Sequence, residues 1–272
     1  MKKAVLLQPN FNARKMKKIF FCTITLLCMS ATTTVSFAAS ADSAADKASV
    51  RVALVGSVEW QSRYVWRGLA LGGNAPTLEP GAALHYKGLS LNVWGAYSLN
   101  DGAYQELDWT LAYTLLDKAL TLQVTDYTNP RLDGNYHYFD FAAHTTPHVL
   151  EAGVLLGIPK TNLKVSAFVN FFGNDARTAT GNLCYSSYVE LSYATCLKCL
   201  KADLSFAAGA ALNGKENYSF YGNDGMQVVN VSAEMRRKLQ LSSALALPVY
   251  LRLVANPCAN KLHCLLGTIV EF

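Results

Sequence analysis

Charge is scarce in this 272-residue chain: Asp, Glu, Lys and Arg make up 16% of it, against about 25% in an ordinary soluble domain. Long apolar runs are missing too. Beyond residue 38 none approaches the ~18 uninterrupted apolar residues of a membrane-crossing helix, and no stretch carries a convincing ten-residue amphipathic helix. There is no glycine-rich phosphate loop and no dinucleotide fingerprint, which removes the common nucleotide-dependent enzyme classes. No cofactor is expected. The apparent basic excess of +5 is also illusory: residues 1–38 hold six basic and no acidic residues, leaving 18 basic against 19 acidic in the remainder. That balance excludes a nucleic-acid footprint.

What is present begins with a leader. From Met16, MKKIFFCTITLLCMSATTTVSFAAS places two lysines before an apolar run, with Ser36 and Ala38 at the cleavage positions. This predicts a secretory signal peptide over 16–38, an over-extended start over 1–15, and a periplasmic N-terminal segment over 39–50. The apolar run falls short of the ~20 residues of a spanning anchor. A lipoprotein site at Cys28 is disfavoured because Thr25, Leu26 and Leu27 supply no small residue before it.

From Val52 onward the apolar residues alternate with period two, the signature of strands. Twelve such segments are expected, at 51–67, 77–86, 89–99, 104–116, 119–128, 147–157, 162–172, 184–195, 200–212, 226–237, 244–255 and 261–272. One face of each is apolar, as in Val58, Trp60, Tyr64, Trp66 or Leu107, Trp109, Leu111, Tyr113; the other is more polar. Connections alternate in length as well. Gly68–Pro76, Asn129–Thr146, Gly173–Leu183 and Asn213–Gly225 are long, while Lys87–Gly88, Asp117–Lys118, Ile158–Thr161 and Cys196–Cys199 are tight.

An apolar outer face on an exported chain has to meet a second layer or lipid. In lipid a sheet survives only when closed on itself, because no water is available to unpaired backbone groups. An all-β fold follows: a closed antiparallel transmembrane β-barrel of about twelve strands over 51–272, in the outer membrane of a Gram-negative-type cell, with turns at one end and loops at the other. Trp60, Tyr64, Trp66, Tyr97, Tyr104, Tyr127, Tyr185, Tyr193 and Phe272 are expected at the interfaces. The terminal LLGTIVEF, ending on Phe272, resembles the signal read by the outer-membrane barrel assembly machinery. A soluble two-sheet sandwich is the competing fold.

SRYVWRGLAL (Ser62–Leu71), HVLEAGV (His148–Val154), FFGND (Phe171–Asp175), SSYVELSY (Ser186–Tyr193) and Asn256-Pro257 occur in that order. Together they resemble the TorF-type porins, the Gcw_chp family. The resemblance implies an outer-membrane barrel and an exported origin, with no substrate attached.

Candidate lumen-lining residues, with possible solute or ion contacts, are Glu59, Arg63, Arg67, Glu106, Asp108, Glu151, Glu190, Asp203, Glu234, Arg236 and Arg252. Such a mixed set either lines a narrow aqueous path or pairs across the barrel as a polar plug. Arg63 and Arg67, four residues apart on one strand face and so about 13 Å apart, form a candidate anion-contacting ladder. The loop 129–146, with His137 and His144, is expected to fold inward as a constriction or outward as a binding surface.

No metal site is expected from His144 and His148, which lack a carboxylate in fixed register. Nor is a redox role expected for Cys196 and Cys199, which sit in a hairpin rather than at a helix N-terminus. The expected function is passive passage of small hydrophilic solutes or ions. A closed barrel displaying its loops is the alternative, and a lipid-modifying enzyme using groups such as Ser186, Ser187 and His148 is the third reading. Outer-membrane lipid is the expected surrounding partner.

Overall fold

The computed structural model describes residues 52–100, 104–130, 136–215, 218–242 and 246–272. The leader, Cys28 and the segment 39–50 lie outside the described residues. Twelve long strands form one closed antiparallel barrel, in the order β1-β14-β13-β12-β11-β10-β9-β8-β7-β6-β5-β4. They are β1 (Val52–Gln61), β4 (Thr77–Tyr86), β5 (Leu89–Ser98), β6 (Gln105–Leu115), β7 (Leu120–Thr128), β8 (His148–Gly157), β9 (Leu163–Gly173), β10 (Ser187–Leu197), β11 (Ala202–Ala211), β12 (Gln227–Gln240), β13 (Ala246–Asn256) and β14 (Lys261–Glu271). A single closed sheet replaces the competing sandwich. No helix occurs among the described residues.

Closure is made by β1 and β14, with Ser57 opposite Glu271 and Gln61 opposite Gly267. Phe272 finishes the seam by exchanging both backbone bonds with Gly56, at 2.8 and 3.0 Å. Side chains alternate as the sequence pattern requires. Leu262, Leu266, Val270 and Phe272 point out and are exposed, while His263, Leu265 and Ile269 point in and are buried. Exposed apolar rows continue round the wall, for example Leu89 and Leu91, Leu111 and Tyr113, Leu122 and Val124, Leu251 and Leu253.

The first strand departs from expectation. β1 ends at Gln61, so the segment 51–67 is not one strand. The chain turns inward and makes a small hairpin, β2 (Val65–Trp66) and β3 (Leu69–Ala70). Its two turn residues, Arg67 and Gly68, both have positive φ, 46° and 83°, the combination of a type I′ turn. Gly68 is required there: a Cβ would stand 1.9 Å from the Val229 carbonyl oxygen. Arginine at the other left-handed position is unfavourable, and such strain persists only where its surroundings hold it.

Twelve strands at ~4.8 Å spacing and ~40° tilt give a backbone diameter of roughly 24 Å. Lining side chains alone do not fill that width, and the hairpin occupies much of what remains. Val65 packs on Val254 and Leu265 of the inner wall, and Asn256 Nδ2 donates to the Gly68 carbonyl at 3.2 Å.

Candidate functional site: an arginine hairpin across the lumen

From the turn of the hairpin, Arg67 reaches β8, five strands round the wall from β1. Nη1 and Nη2 donate to Glu151 Oε2 and Oε1 at 2.5 and 2.9 Å, and Nη1 also donates to the Tyr221 hydroxyl at 2.7 Å. Tyr127 donates to the same carboxylate at 2.9 Å. The guanidinium carbon lies 4.1 Å from the Phe168 ring centroid, 4.4 Å from Trp66 and 4.6 Å from Tyr188. Planar, delocalised charge suits both the bidentate carboxylate and the aromatic faces, which a lysine could not match. Tyr221, from the connection between β11 and β12, stacks on Trp66 and Tyr188 at 5.9 and 5.6 Å. Hairpin and tyrosine together lie across the loop end of the lumen.

Arg67 is therefore not the second rung of a strand-borne anion ladder. Its charge is matched by Glu151, and Arg63, beyond the end of β1, binds His263 Nδ1 at 3.0 Å on the neighbouring wall. The cause is the inward turn after Gln61, which alternation within SVEWQSRYVWR does not signal. The same turn takes Tyr64 and Trp66 out of the expected aromatic girdle, and the parity of β7 takes Tyr127 out of it. Tyr64 packs on Trp94 and Tyr104, Trp66 meets Tyr127, and the Tyr104 hydroxyl binds Glu106 at 2.8 Å. Of the expected girdle, Tyr64, Trp66, Tyr104 and Tyr127 belong to the interior, whereas Tyr97, Tyr185, Tyr193 and Phe272 are exposed.

Beneath the hairpin lies a cavity of about 230 Å³ that extends toward the turn end as far as Lys164, Ala194 and Arg236. Asn92, Thr110, Thr125, Ser192, Ser205 and Ser232 give it an uncharged polar wall. Most of the candidate acids and arginines do line this space or its edge. Glu190 accepts from Tyr188 at 2.6 Å and from Asn230 at 3.2 Å. Glu234 binds Arg252 at 2.7 Å and Arg236 at 3.2 Å, and both arginines lie over Tyr250. Asp203 sits opposite Arg236 in the register of β11 and β12.

On the β1–β4–β6 side the carboxylates outnumber their cations. Glu59 and Glu79 are directly opposite one another across β1 and β4, an arrangement unfavourable for two like charges. Tyr250 donates to Glu59; Gln61 and Thr77 donate to Glu79. Asp108 is buried with Oδ1 unpartnered. Glu79 was legible in TLEPGAALHY by counting in twos from Thr77, on a strand expected with the bounds it has, but it was not singled out as a candidate. Tyr250 and Tyr188 carried no signal beyond inward parity; each lies flat over an inward glycine, Gly267 and Gly209 respectively.

The described residues 136–147 of the long loop do not enter the lumen. By strand parity Asp126 and His148 are on the outside, opposite to Tyr127 and Glu151. His148 Nδ1 meets Asp126 Oδ2 at 2.8 Å and Nε2 meets the Tyr138 carbonyl at 2.6 Å, with Phe141 stacked on the ring at 4.5 Å. Loop residues 136–147 thus drape over the outer rim, leaving Phe139 85% exposed. Within it, hydrogen bonds from Thr145 and the Ala142 amide hold the Asp140 carboxyl below its usual range. Arg177 ties the loop to its neighbour through the Ala143 carbonyl. Both nitrogens of His148 are engaged, and Ser186 is buried, its amide donating to Asp175. Among the described residues no three His, Cys, Asp or Glu side chains gather as a metal site, and the cysteines form no disulfide.

No protein-family model matches the chain, and neither does any curated protein. Several solved structures are distantly similar. The COG4313 outer membrane channel from Pseudomonas putida F1 is 13% identical, with 86% of this chain and 100% of that one covered at a TM-score of 0.41. Salmonella typhi OmpF in complex with daunomycin is 9% identical, with 82% and 98% covered at a TM-score of 0.34. A structure from work on in-meso crystallization of membrane proteins is 10% identical, with 80% and 83% covered at 0.41. The fold and the site stand on the chain's own residues.

Proposed function

We propose that this chain is an outer-membrane barrel that passes small hydrophilic solutes or ions, cations in preference to anions, with the Arg67 hairpin as its constriction. The observation that carries the reading is the polar, charge-lined cavity that runs up to a single hairpin. Part of that interior is left as open space rather than filled by paired side chains, which a solute path needs. The outward apolar rows call for lipid, since a soluble monomer rarely exposes more than a few hundred Å² of continuous apolar surface. Short turns then face the periplasm and the loops the exterior. The likeness of SRYVWRGLAL and the later motifs to TorF-type porins agrees with this reading.

Cation preference is read from Glu59, Glu79 and Asp108 in the cavity wall, none of which forms an ion pair among the described residues. Carboxylate rings favour cations in narrow pores. The test is reconstitution of the folded protein in a planar bilayer under a KCl gradient. Discrete current steps with a cation-selective reversal potential support the reading, and Glu59→Gln with Glu79→Gln moves that potential toward zero. Steps that favour chloride overturn the selectivity.

A second reading has its own observation. Arg67 is so fully matched by Glu151, Tyr221 and three rings that the hairpin is well suited to be permanent, leaving a closed barrel that displays its loops. Silence from a demonstrably folded barrel selects this reading.

A further inference from the structure

The turn end of the barrel carries a basic collar. The turn between β4 and β5 presents Lys87, that between β6 and β7 Lys118, that between β8 and β9 Lys160, and that between β10 and β11 Lys198 and Lys201. Arg237 and Lys238 occupy the same end of β12. All seven are exposed, and Asp117 is the one acidic residue among the described residues of these turns. At the loop end, by contrast, Lys215 and Lys261 stand against Asp140 and Asp224.

The backbone gives a second, independent sign that these charges are wanted. Lys87, Lys118, Lys160 and Lys201 all have left-handed φ, at 54°, 72°, 63° and 47°. Glycine or asparagine occupies such positions at less cost. Lysine at the left-handed position in four successive turns has no explanation within the barrel, because none of the four is in an ion pair the structure shows.

We propose that this collar binds the phosphate headgroups of anionic phospholipid, of the phosphatidylglycerol type, in the leaflet at the turn end. Two arrangements point to lipid over a protein. The cations are spread over four turns and the same end of β12, round the perimeter, and the lipid annulus is the partner that surrounds a barrel. They also adjoin exposed apolar residues, Tyr86 and Leu89 beside Lys87, Leu156 near Lys160 and Leu200 beside Lys201. Lys87 Nζ lies 5.4 Å from the Tyr86 ring centroid. Lysine stems lying along such a rim with their charges at headgroup level is the ordinary snorkelling arrangement. The inference rests on the membrane reading above.

The test uses the full-length mature protein reconstituted in phosphatidylcholine bilayers, with insertion scored first by a heat-dependent gel shift and flotation. The association of spin-labelled phosphatidylglycerol is then compared with that of spin-labelled phosphatidylcholine. A preference for phosphatidylglycerol of about fivefold is expected where one lysine meets one headgroup, falling to near equality in 0.5–1 M NaCl. It is expected to vanish in a variant with Lys87, Lys118, Lys160, Lys198, Lys201, Arg237 and Lys238 all changed to Gln, and to survive Lys215→Gln with Lys261→Gln. Equal association of the two lipids with the inserted wild type overturns the proposal, as does a preference that survives the turn variant or disappears in the loop variant. Binding of fluorescent polyglutamate to the turn end without a lipid preference overturns it in favour of an acidic peptide partner. Failure to insert at all counts against the membrane reading itself.

Discussion

Arg67 and Glu151 stand 84 residues apart in sequence yet share two hydrogen bonds, at 2.5 and 2.9 Å, in the buried interior of the barrel. The pair joins the tip of an inward hairpin to a wall strand nearly opposite the point where that hairpin leaves. Removing one partner of a buried pair leaves the other charge uncompensated, which costs about 3–5 kcal/mol.

Arg67→Ala is therefore expected to lower the unfolding free energy by about that much and to raise conductance. Arg67→Lys is expected to recover little of either, because a point charge reproduces neither the fork to Glu151 nor the stacking on Trp66, Phe168 and Tyr188. Chemical denaturation in detergent together with bilayer recording checks both. A lysine variant indistinguishable from wild type would place the weight on charge alone.

Gly68→Ala tests the hairpin without touching its charge. A Cβ at φ 83° would meet the Val229 carbonyl at 1.9 Å, so the tip has to move away from β12. Larger current steps with an intact heat-shifted gel band are expected, since the barrel's own strand pairing does not involve Gly68. Loss of the folded band instead would mean that the barrel depends on its plug.

The outer face is tested by Leu111→Arg, on an exposed apolar row of β6. A cation at the bilayer midplane costs about 2–4 kcal/mol, so refolding into vesicles is expected to become less favourable by that order. Thr110→Ser, one residue away and facing the lumen, is expected to leave refolding unchanged.

The barrel itself was legible in the sequence because closure, alternation and turn lengths all follow local rules. Eleven of the twelve strands fall within a few residues of the expected spans, and LHCLLGTIV alternates out and in as read. The hairpin was not legible, because SRYVWRGLAL continues the same alternation through the point where the chain leaves the wall. Only Arg67-Gly68, a two-residue turn with glycine second, hinted at it. The consequence reached the site: Arg67 is the tip of the inward hairpin and pairs with Glu151, while Glu79, on an inward position of the expected strand 77–86, joins the cavity wall without having been singled out.

His148 carries a different expectation. With Asp126 on one ring nitrogen and the Tyr138 carbonyl on the other, it holds the loop 136–147 against the outer rim. His148→Ala is expected to speed limited proteolysis in that loop severalfold while leaving the conductance of the barrel unaltered. A changed conductance would tie the loop to the lumen.

The central claim, that a single hairpin limits an otherwise polar passage, is tested most directly by single-channel conductance of the wild type beside a variant whose residues 64–71 are replaced by a glycine-serine linker. Both are first shown to be folded by the heat-dependent gel shift. The account predicts small or rare steps from the wild type and larger, long-lived, cation-selective steps from the variant. Equal conductance in the two proteins, or silence from both, would contradict it.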